Sequence, residues 1–352
     1  MRTHKIAAIP GDGIGPEVLA AGLSVLEAIE KSEGFQLNTI QFPWGSNFYL
    51  QHGRMVKEGG LESLRGFDAI YFGAVGSKEV PDHVTVWDLI LPIRQKFDQY
   101  VNLRPMRLLP GLKSPLGGRG PSDIDMVCVR ENTEGEYAGV GGFVHRGRAG
   151  EMANEVATFT RAGIERVARF AFELARTRPR KLLASATKSN ALRHSMVLWD
   201  EVVEELAGQF PDVTCRKYHV DALAARMVTQ PDSVDVIVAS NLFGDILTDL
   251  GAAISGSLGT APSGNLDPTR KHPSMFEPIH GSAPDIAGKG IANPIGAVWA
   301  GAMMLDHLGE KKAAARVVSA IEKVTAEGRV RTPDLGGSAN TTDMTQALID
   351  AL

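Results

Sequence analysis

The feature that most constrains this chain is a regular alternation of short apolar runs with amphipathic stretches along its 352 residues. Lys5–Ile9 reads as a buried strand. Behind it Pro16 takes a first helical position, and Val18, Leu19, Leu23, Leu26 and Ile29 recur on one helical face as far as Gly34. Further strands are predicted at Gln36–Phe42, Ala69–Phe72, Asp125–Val129, Lys181–Ala184, Val213–Tyr218 and Val234–Ala239. Helical patterns follow at Arg161–Arg176, Ala191–Ala207, Ala222–Val228 and Leu242–Ile254. Parallel strands need long crossovers and helices supply them, so the expectation is an α/β protein with a largely parallel sheet. Leu108–Asp123 reads as a long loop, and Gly259–Pro278, with Pro262, Pro268, Pro273 and Pro278, as a second irregular stretch. They bracket a middle region, which predicts a discontinuous first domain, 1–105 with 256–352, and an inserted second one, 106–255. The glycine-rich, polar stretch around 135–154 has no place in a core and reads as an excursion toward a partner subunit.

Composition removes several classes of function. A formal net charge of -4 argues against a broad basic surface for nucleic acid. Two cysteines, Cys128 and Cys215, suit a reducing compartment rather than a disulfide framework. The apolar run Ile6–Ile9 stops at Pro10-Gly11, too early for a secretory signal, and Ile295–Leu305 ends at Asp306, well short of the roughly 20 residues that span a bilayer. The expectation is a cytoplasmic protein with neither membrane nor nucleic acid as partner.

Gly11-Asp12-Gly13-Ile14-Gly15-Pro16, between a strand and a helix, invites comparison with a dinucleotide fingerprint. The fingerprint fails: its last glycine is replaced by Pro16, and the second strand ends in Gln41 and Phe42 instead of an acid for the ribose. A tight strand-to-helix turn, with no Rossmann site, accounts for these glycines.

Chemistry concentrates elsewhere. Asp245 and Asp249 follow the strand Val234–Ala239 and, four apart, share one helix face. Two like charges there call for a cation, and oxygen ligands select Mg²⁺ or Mn²⁺; a solvated helix face is the plainer alternative. Asp221 is a third carboxylate that read alone fits a helix cap. Arg94, Arg104 and Arg130 are guanidinium forks suited to a di- or tricarboxylate, each alone being more often a surface ion pair. Tyr137 suits a proton donor. Lys188, at a strand-to-helix junction, suits a base if its neighbours are cations. In the polar loop His280-Gly281-Ser282-Ala283-Pro284-Asp285-Ile286 up to Asn293, backbone amides can cradle phosphates and Asp285 can accept ribose hydroxyls.

Taken together these segments resemble the β-decarboxylating dehydrogenases, the family of isocitrate and isopropylmalate dehydrogenases. The matching segments are Ile9–Glu17, Asn102–Pro105, Val129–Tyr137, Thr187–Asn190, the Asp245/Asp249 segment and His280–Asn293. The resemblance implies the isopropylmalate dehydrogenase-like fold: two α/β domains sharing a central mixed sheet. It implies that Arg94, Arg104 and Arg130 grip the malate moiety of a small dicarboxylate. Asp245, Asp249 and the second subunit's Asp221 would hold Mn²⁺ or Mg²⁺. Lys188, also from the second subunit, would deprotonate the C2 hydroxyl, NAD would take the hydride and Tyr137 would protonate the enolate. It further implies an obligatory homodimer with shared active sites, and K⁺ is the one further ion it admits. His280, Gly281, Ser282, Ala283, Asp285, Ile286 and Asn293 would hold the cofactor, with Asp285 disfavouring a 2′-phosphate. Around Trp87 the chain looks most like the tartrate/D-malate branch, and Trp87, seven before Arg94, would face the substrate with it. Ile90 and Leu91 form an apolar pair that would also suit 3-isopropylmalate. Asp88 and Pro92 depart from the branch pattern. A catalytically silent regulatory subunit is the rival reading, set aside because Asp221, Asp245, Asp249, Lys188 and Tyr137 are all present.

Overall fold

A computed structural model describes residues 2–352. Ten strands form one mixed sheet: β1 (Arg2–Gly11), β2 (Phe35–Gln41), β3 (Ala69–Ala74), β4 (Val101–Arg107), β5 (Asp125–Glu131), β8 (Leu182–Thr187), β9 (Thr214–His219), β10 (Val236–Ala239), β11 (Pro262–Leu266) and β12 (Ser274–Pro278). Two more, β6 (Gly135–Val144) and β7 (Met152–Thr158), form a separate antiparallel ribbon. The sheet order is β2-β1-β3-β12-β11-β4-β5-β10-β8-β9. β2, β1, β3 and β12 run parallel, as do β5, β10, β8 and β9. Between these halves, β11 is antiparallel to both β12 and β4, and β4 is antiparallel to β5.

Each half forms for the reason its sequence suggests. β3 and β10 are buried throughout because helices cover both faces of a parallel sheet, which leaves room only for continuous apolar runs. The first helix, Gly15–Glu33, opens with Pro16 in its first turn and stops at Gly34, whose φ of 74° suits glycine. The seven strands predicted from apolar runs are all present, and Leu108–Asp123 is turns and coil.

One expectation needs correction. Gly259–Pro278 is no irregular connection: it contributes β11 and β12 to the middle of the sheet. Pro262 and Pro278 stand at strand ends, where a missing N–H costs least. Ser263, Gly264 and Asn265 replace the β-branched residues that signal a strand, because polar Asn102, Asn132 and Glu277 surround them. Asn102 and Asn132 each donate to Asn265 Oδ1, at 2.7 and 3.0 Å, and Asn265 donates to Glu277 Oε1 at 2.8 Å.

The excursion around 135–154 is the β6–β7 ribbon. Val140, Phe143, Val144, Met152 and Val156 are all exposed on it. No helix of the described residues is long and apolar enough to cross a membrane.

Candidate active site

Arg130, near the carboxyl end of β5, is 1% exposed and organises the site. Its Nε and Nη2 donate to Asn241 Oδ1 at 3.0 and 2.7 Å, and Nη1 donates to Asp245 Oδ1 at 2.5 Å. Both acceptors lie on the helix Asn241–Ile254, capped by Ser240 just after β10. Gly244 lets that helix pass over the arginine, since a Cβ there would fall 2.6 Å from Cβ and Cγ of Arg130. Arg104, on β4, donates to Asp245 Oδ1 at 3.2 Å and Thr248 Oγ1 at 2.8 Å. Tyr137, near the start of the ribbon, donates its hydroxyl to Asp245 Oδ2 at 3.2 Å. Arg94 donates to the buried Glu277 at 3.0 Å. Nε of Arg94 and Nε of Arg104 are buried without a partner.

Three guanidinium groups thus face two carboxylates, an excess of positive charge suited to an anionic guest. Burial alone would raise the pKa of Asp245, but Arg130, Arg104 and Arg94 with the Tyr137 hydroxyl hold it below the usual range. Burial, then the charge of Asp245, raises the phenol of Tyr137, which therefore carries its proton at neutral pH. A cavity of about 330 Å³ is lined by Arg94, Arg104, Arg130, Tyr137 and Asp245, by Val86, Ile90 and Leu91, and by Glu277 to Gly281.

Trp87 is not in that lining; Val86 is. In a regular helix, residues seven apart share a face, but Val86–Ile90 is a π turn in which Leu91 N–H bonds Val86 C=O. Pro92 supplies the reason. It has no N–H for the Asp88 carbonyl, and its ring crowds that carbonyl, so the helix widens by one residue. The extra residue turns Trp87 aside and puts Val86 in its place. The ring of Trp87 lies instead over Gly139 of β6.

Lys188 and Asp221 stand apart from this cluster. Lys188 Nζ is 2.5 Å from Asp221 Oδ1, so its neighbour is a carboxylate and not the expected cations. Neither residue lines the Arg94–Arg130 cavity. Asp249 lies one turn beyond Asp245, exposed, with burial and then Asp245 raising its pKa. Among the described residues no three His, Cys, Asp or Glu gather as a metal site. One chain therefore offers two carboxylates on one helix face, a donor set that fits a hard divalent ion but is incomplete.

The expected cofactor loop adjoins a second cavity, of about 740 Å³, lined by 75–82 and Gly281–Pro284. Ile14 N–H donates to Ser282 C=O, and Gly13, with φ of 57°, leaves no room for a side chain against Ser282. The glycine-rich turn thus props up this loop. Burial lowers the pKa of His280, so its ring is neutral: Nδ1 donates to the Gly281 carbonyl at 3.0 Å, and the buried Nε2 is left as a free acceptor beside the cleft. These features fit a dinucleotide. Asp285 is exposed and 3.2 Å from Lys78, a single cation rather than a basic pair. Ala283 and Ile286 pack on the cluster of Ile14 and Val18. The side chain of Asn293 is engaged with Asp334 and Ile295 N–H. Val86, Thr248, Asn241 and Glu277 also belong to the site, although spacing does not single them out; Glu277, three residues before His280, is the nearest to a recognised segment.

Residues 5–348 match the family model described as isocitrate/isopropylmalate dehydrogenase, and the chain belongs to that family. It is 59% identical over its full length to a probable tartrate dehydrogenase/decarboxylase of Agrobacterium vitis, covering 98% of that protein. It is 54% identical to D-malate dehydrogenase (decarboxylating) of Escherichia coli, covering 99% of this chain and 98% of the other. The structure matches an isocitrate dehydrogenase from Methylococcus capsulatus with a TM-score of 0.88 at 37% identity over 99% of both chains. The chain is, accordingly, an enzyme of the decarboxylating dehydrogenase class.

Proposed function

We propose that the enzyme oxidises tartrate or D-malate at C2, with NAD as acceptor and Mn²⁺ or Mg²⁺ bound, and that the resulting β-keto acid loses CO₂. The observation that carries this reading is the convergence of Arg94, Arg104 and Arg130, two with unpartnered buried Nε, on a cavity of about 330 Å³ that has room for a small diacid. The names of the relatives at 59% and 54% identity support the same substrates. When bound, the dinucleotide would supply a hydride acceptor for C2 and the divalent ion a Lewis acid for the C2 oxygen. Asp245 and Asp249, with Asp221 of a second subunit, would hold the ion; His280, Gly281–Ala283, Asp285, Ile286 and Asn293 would border the dinucleotide.

The protein's own groups do the rest. The arginines fix both carboxylates and so orient C2. Lys188, delivered by a second subunit, accepts the hydroxyl proton. Cleavage of the C3–C4 bond leaves its electron pair on the enolate, and Tyr137, protonated at neutral pH, donates to C3. Separation of Lys188 and Asp221 from Asp245 within one chain supports a homodimer with shared sites, as do the exposed apolar residues of the ribbon and Ile246. A second reading has its own support: Val86, Ile90 and Leu91 form an apolar wall that suits the alkyl group of 3-isopropylmalate.

The test is reduction of NAD⁺ by the purified protein with Mn²⁺ and K⁺. D-malate, L- and meso-tartrate, 3-isopropylmalate and isocitrate are compared, and CO₂ is followed in parallel. The highest kcat/KM falls on D-malate or a tartrate; a maximum on 3-isopropylmalate would transfer the assignment to the second reading.

A further inference from the structure

Trp87 sits on the segment that carries Arg94, yet its ring contacts the strand that carries Tyr137. A Cβ built on Gly139 would fall 2.8 Å from Cζ3 and Cη2 of the ring, so the indole lies directly on the glycine backbone. Gly139 has a φ of 76°, which favours glycine on conformational grounds as well. The contact is long-range: Leu89 of the same π turn lies in one apolar cluster with Ile70 and Phe72 of β3, whereas β6 follows β5 and pairs with β7 in the separate ribbon. Tyr137 stands two residues before Gly139 and is half-buried, tied to the sheet through its hydroxyl bond to Asp245. The ribbon beyond it is exposed, and its register with β7 shifts between Gly135 and Val140. The ladder is therefore interrupted where Tyr137 needs to be held.

We propose that Trp87 is a positioning residue: its indole, turned aside by the Pro92-linked π turn, clamps Gly139 across the cleft and so fixes the phenol of Tyr137 for delivery of a proton to C3. This inference rests on the roles proposed above for Tyr137 and the diacid substrate. Its chemistry is one proton transfer. The phenol O–H bond breaks, a C–H bond forms at C3 with the pair left by departing CO₂, and solvent returns the proton to the phenolate. Loss of the clamp leaves hydride transfer and CO₂ departure intact and lets the undelivered enol escape into solvent before C3 is protonated.

The experiment compares wild type, Trp87→Ala and Trp87→Phe on whichever diacid the wild type turns over fastest. It measures KM, kcat, thermal midpoint and the fraction of decarboxylated product released as free enol, read by its transient ultraviolet absorbance before it ketonises in solvent. General acids contribute roughly 10²–10⁴ to the steps they serve, so loss of correct placement in Trp87→Ala raises the free-enol fraction by about tenfold, with KM nearly unchanged. Trp87→Phe, which keeps part of the ring, falls between. In Trp87→Ala/Tyr137→Phe the two effects do not add, because both act on one proton. A raised KM at constant enol fraction would make Trp87 a substrate contact, and lower stability at constant enol fraction would make it a packing residue; either overturns the clamp. Amide exchange in the resting enzyme tests it without turnover. Trp87→Ala speeds exchange at 137–141 and leaves β10 unaffected, and unchanged exchange at 137–141 overturns the proposal even if the substrate assignment stands. Conversely, wild-type protein inactive on every diacid would defeat the substrate reading while exchange still judges the contact.

Discussion

Asp245→Asn tests the electrostatic design of the site with little change of shape. In the native protein Asp245 Oδ1 accepts from Arg130 at 2.5 Å and Arg104 at 3.2 Å, and both arginines are less than 10% exposed. Removing one member of a fully buried ion pair costs about 3–5 kcal/mol, because the remaining charge is left uncompensated; the Asp245 side chain is 38% exposed, and solvent screening holds its loss to about 3–4 kcal/mol. The asparagine oxygen can still accept from both guanidinium groups, returning about 1 kcal/mol for each neutral-acceptor bond. The net expected loss is therefore about 1–2 kcal/mol, a fall in Tm of roughly 1–3 °C at an unfolding entropy of about 0.7 kcal/mol/K for 352 residues. Because the lost charge also belongs to the proposed metal site, the Mn²⁺ concentration for half-maximal activity rises by at least about tenfold. The pH dependence gives a third check. Asp245 has a folded pKa below its unfolded value, so its stabilisation is present above about pH 4 and is lost as the pH falls through the folded pKa. Asp245→Asn lacks that acid limb. A diacid substrate, which resupplies negative charge between Arg104 and Arg130, protects the variant against heat more than it protects the wild type. Thermal melts at several pH values, with and without D-malate, and a Mn²⁺ titration make the measurement. Wild-type stability together with an unchanged Mn²⁺ requirement would refute both the buried-charge reasoning and the ligand role.

Other expectations are more local. Lys188→Ala abolishes NAD⁺ reduction while leaving the molecular mass in solution unchanged; turnover at the wild-type rate removes Lys188 from the proposed chemistry. Gly13→Ala sets a Cβ against the Ser282 carbonyl at a left-handed φ, so it weakens NADH binding by fluorescence titration and lowers stability by about 1–3 kcal/mol. Burial, then Arg270, lowers the pKa of His307 to about 4. Its contribution to stability is complete above about pH 6.5 and is lost as pH falls toward 4, so His307→Gln flattens the stability profile in that window. A denaturant series at pH 7, 5.5 and 4.5 reads the difference.

Much of this protein was legible in one dimension because the relevant physics is local. Strands β3, β5, β8 and β10 are buried on both faces, so each announces itself as a continuous apolar run whatever its neighbours. The failure of the dinucleotide fingerprint followed from Pro16 together with Gln41 and Phe42 at the end of the second strand, and the structure uses Gly11–Gly15 to support the Ser282 loop. Arg130 and Asp245 could be singled out because one ends a buried strand and the other lies on the helix that follows one, where α/β sheets place their ligands. Sequence spacing could not decide what depends on other segments. β11 and β12 looked irregular since Ser263 and Asn265 bury polar groups whose partners, Asn102, Asn132 and Glu277, arrive from β4, from just beyond β5 and from β12. Trp87 faced the wrong way because helical phase is cumulative: the π turn next to Pro92 adds one residue and moves every earlier side chain off its expected face. The pairing of Lys188 with Asp221, away from Asp245, follows from the path of β8 and β9 at the far edge of the sheet. The chain thus carries its chemical groups in readable order, and the fold alone settles which of them meet, because distance in space is set by sheet order and helical phase and not by separation along the backbone.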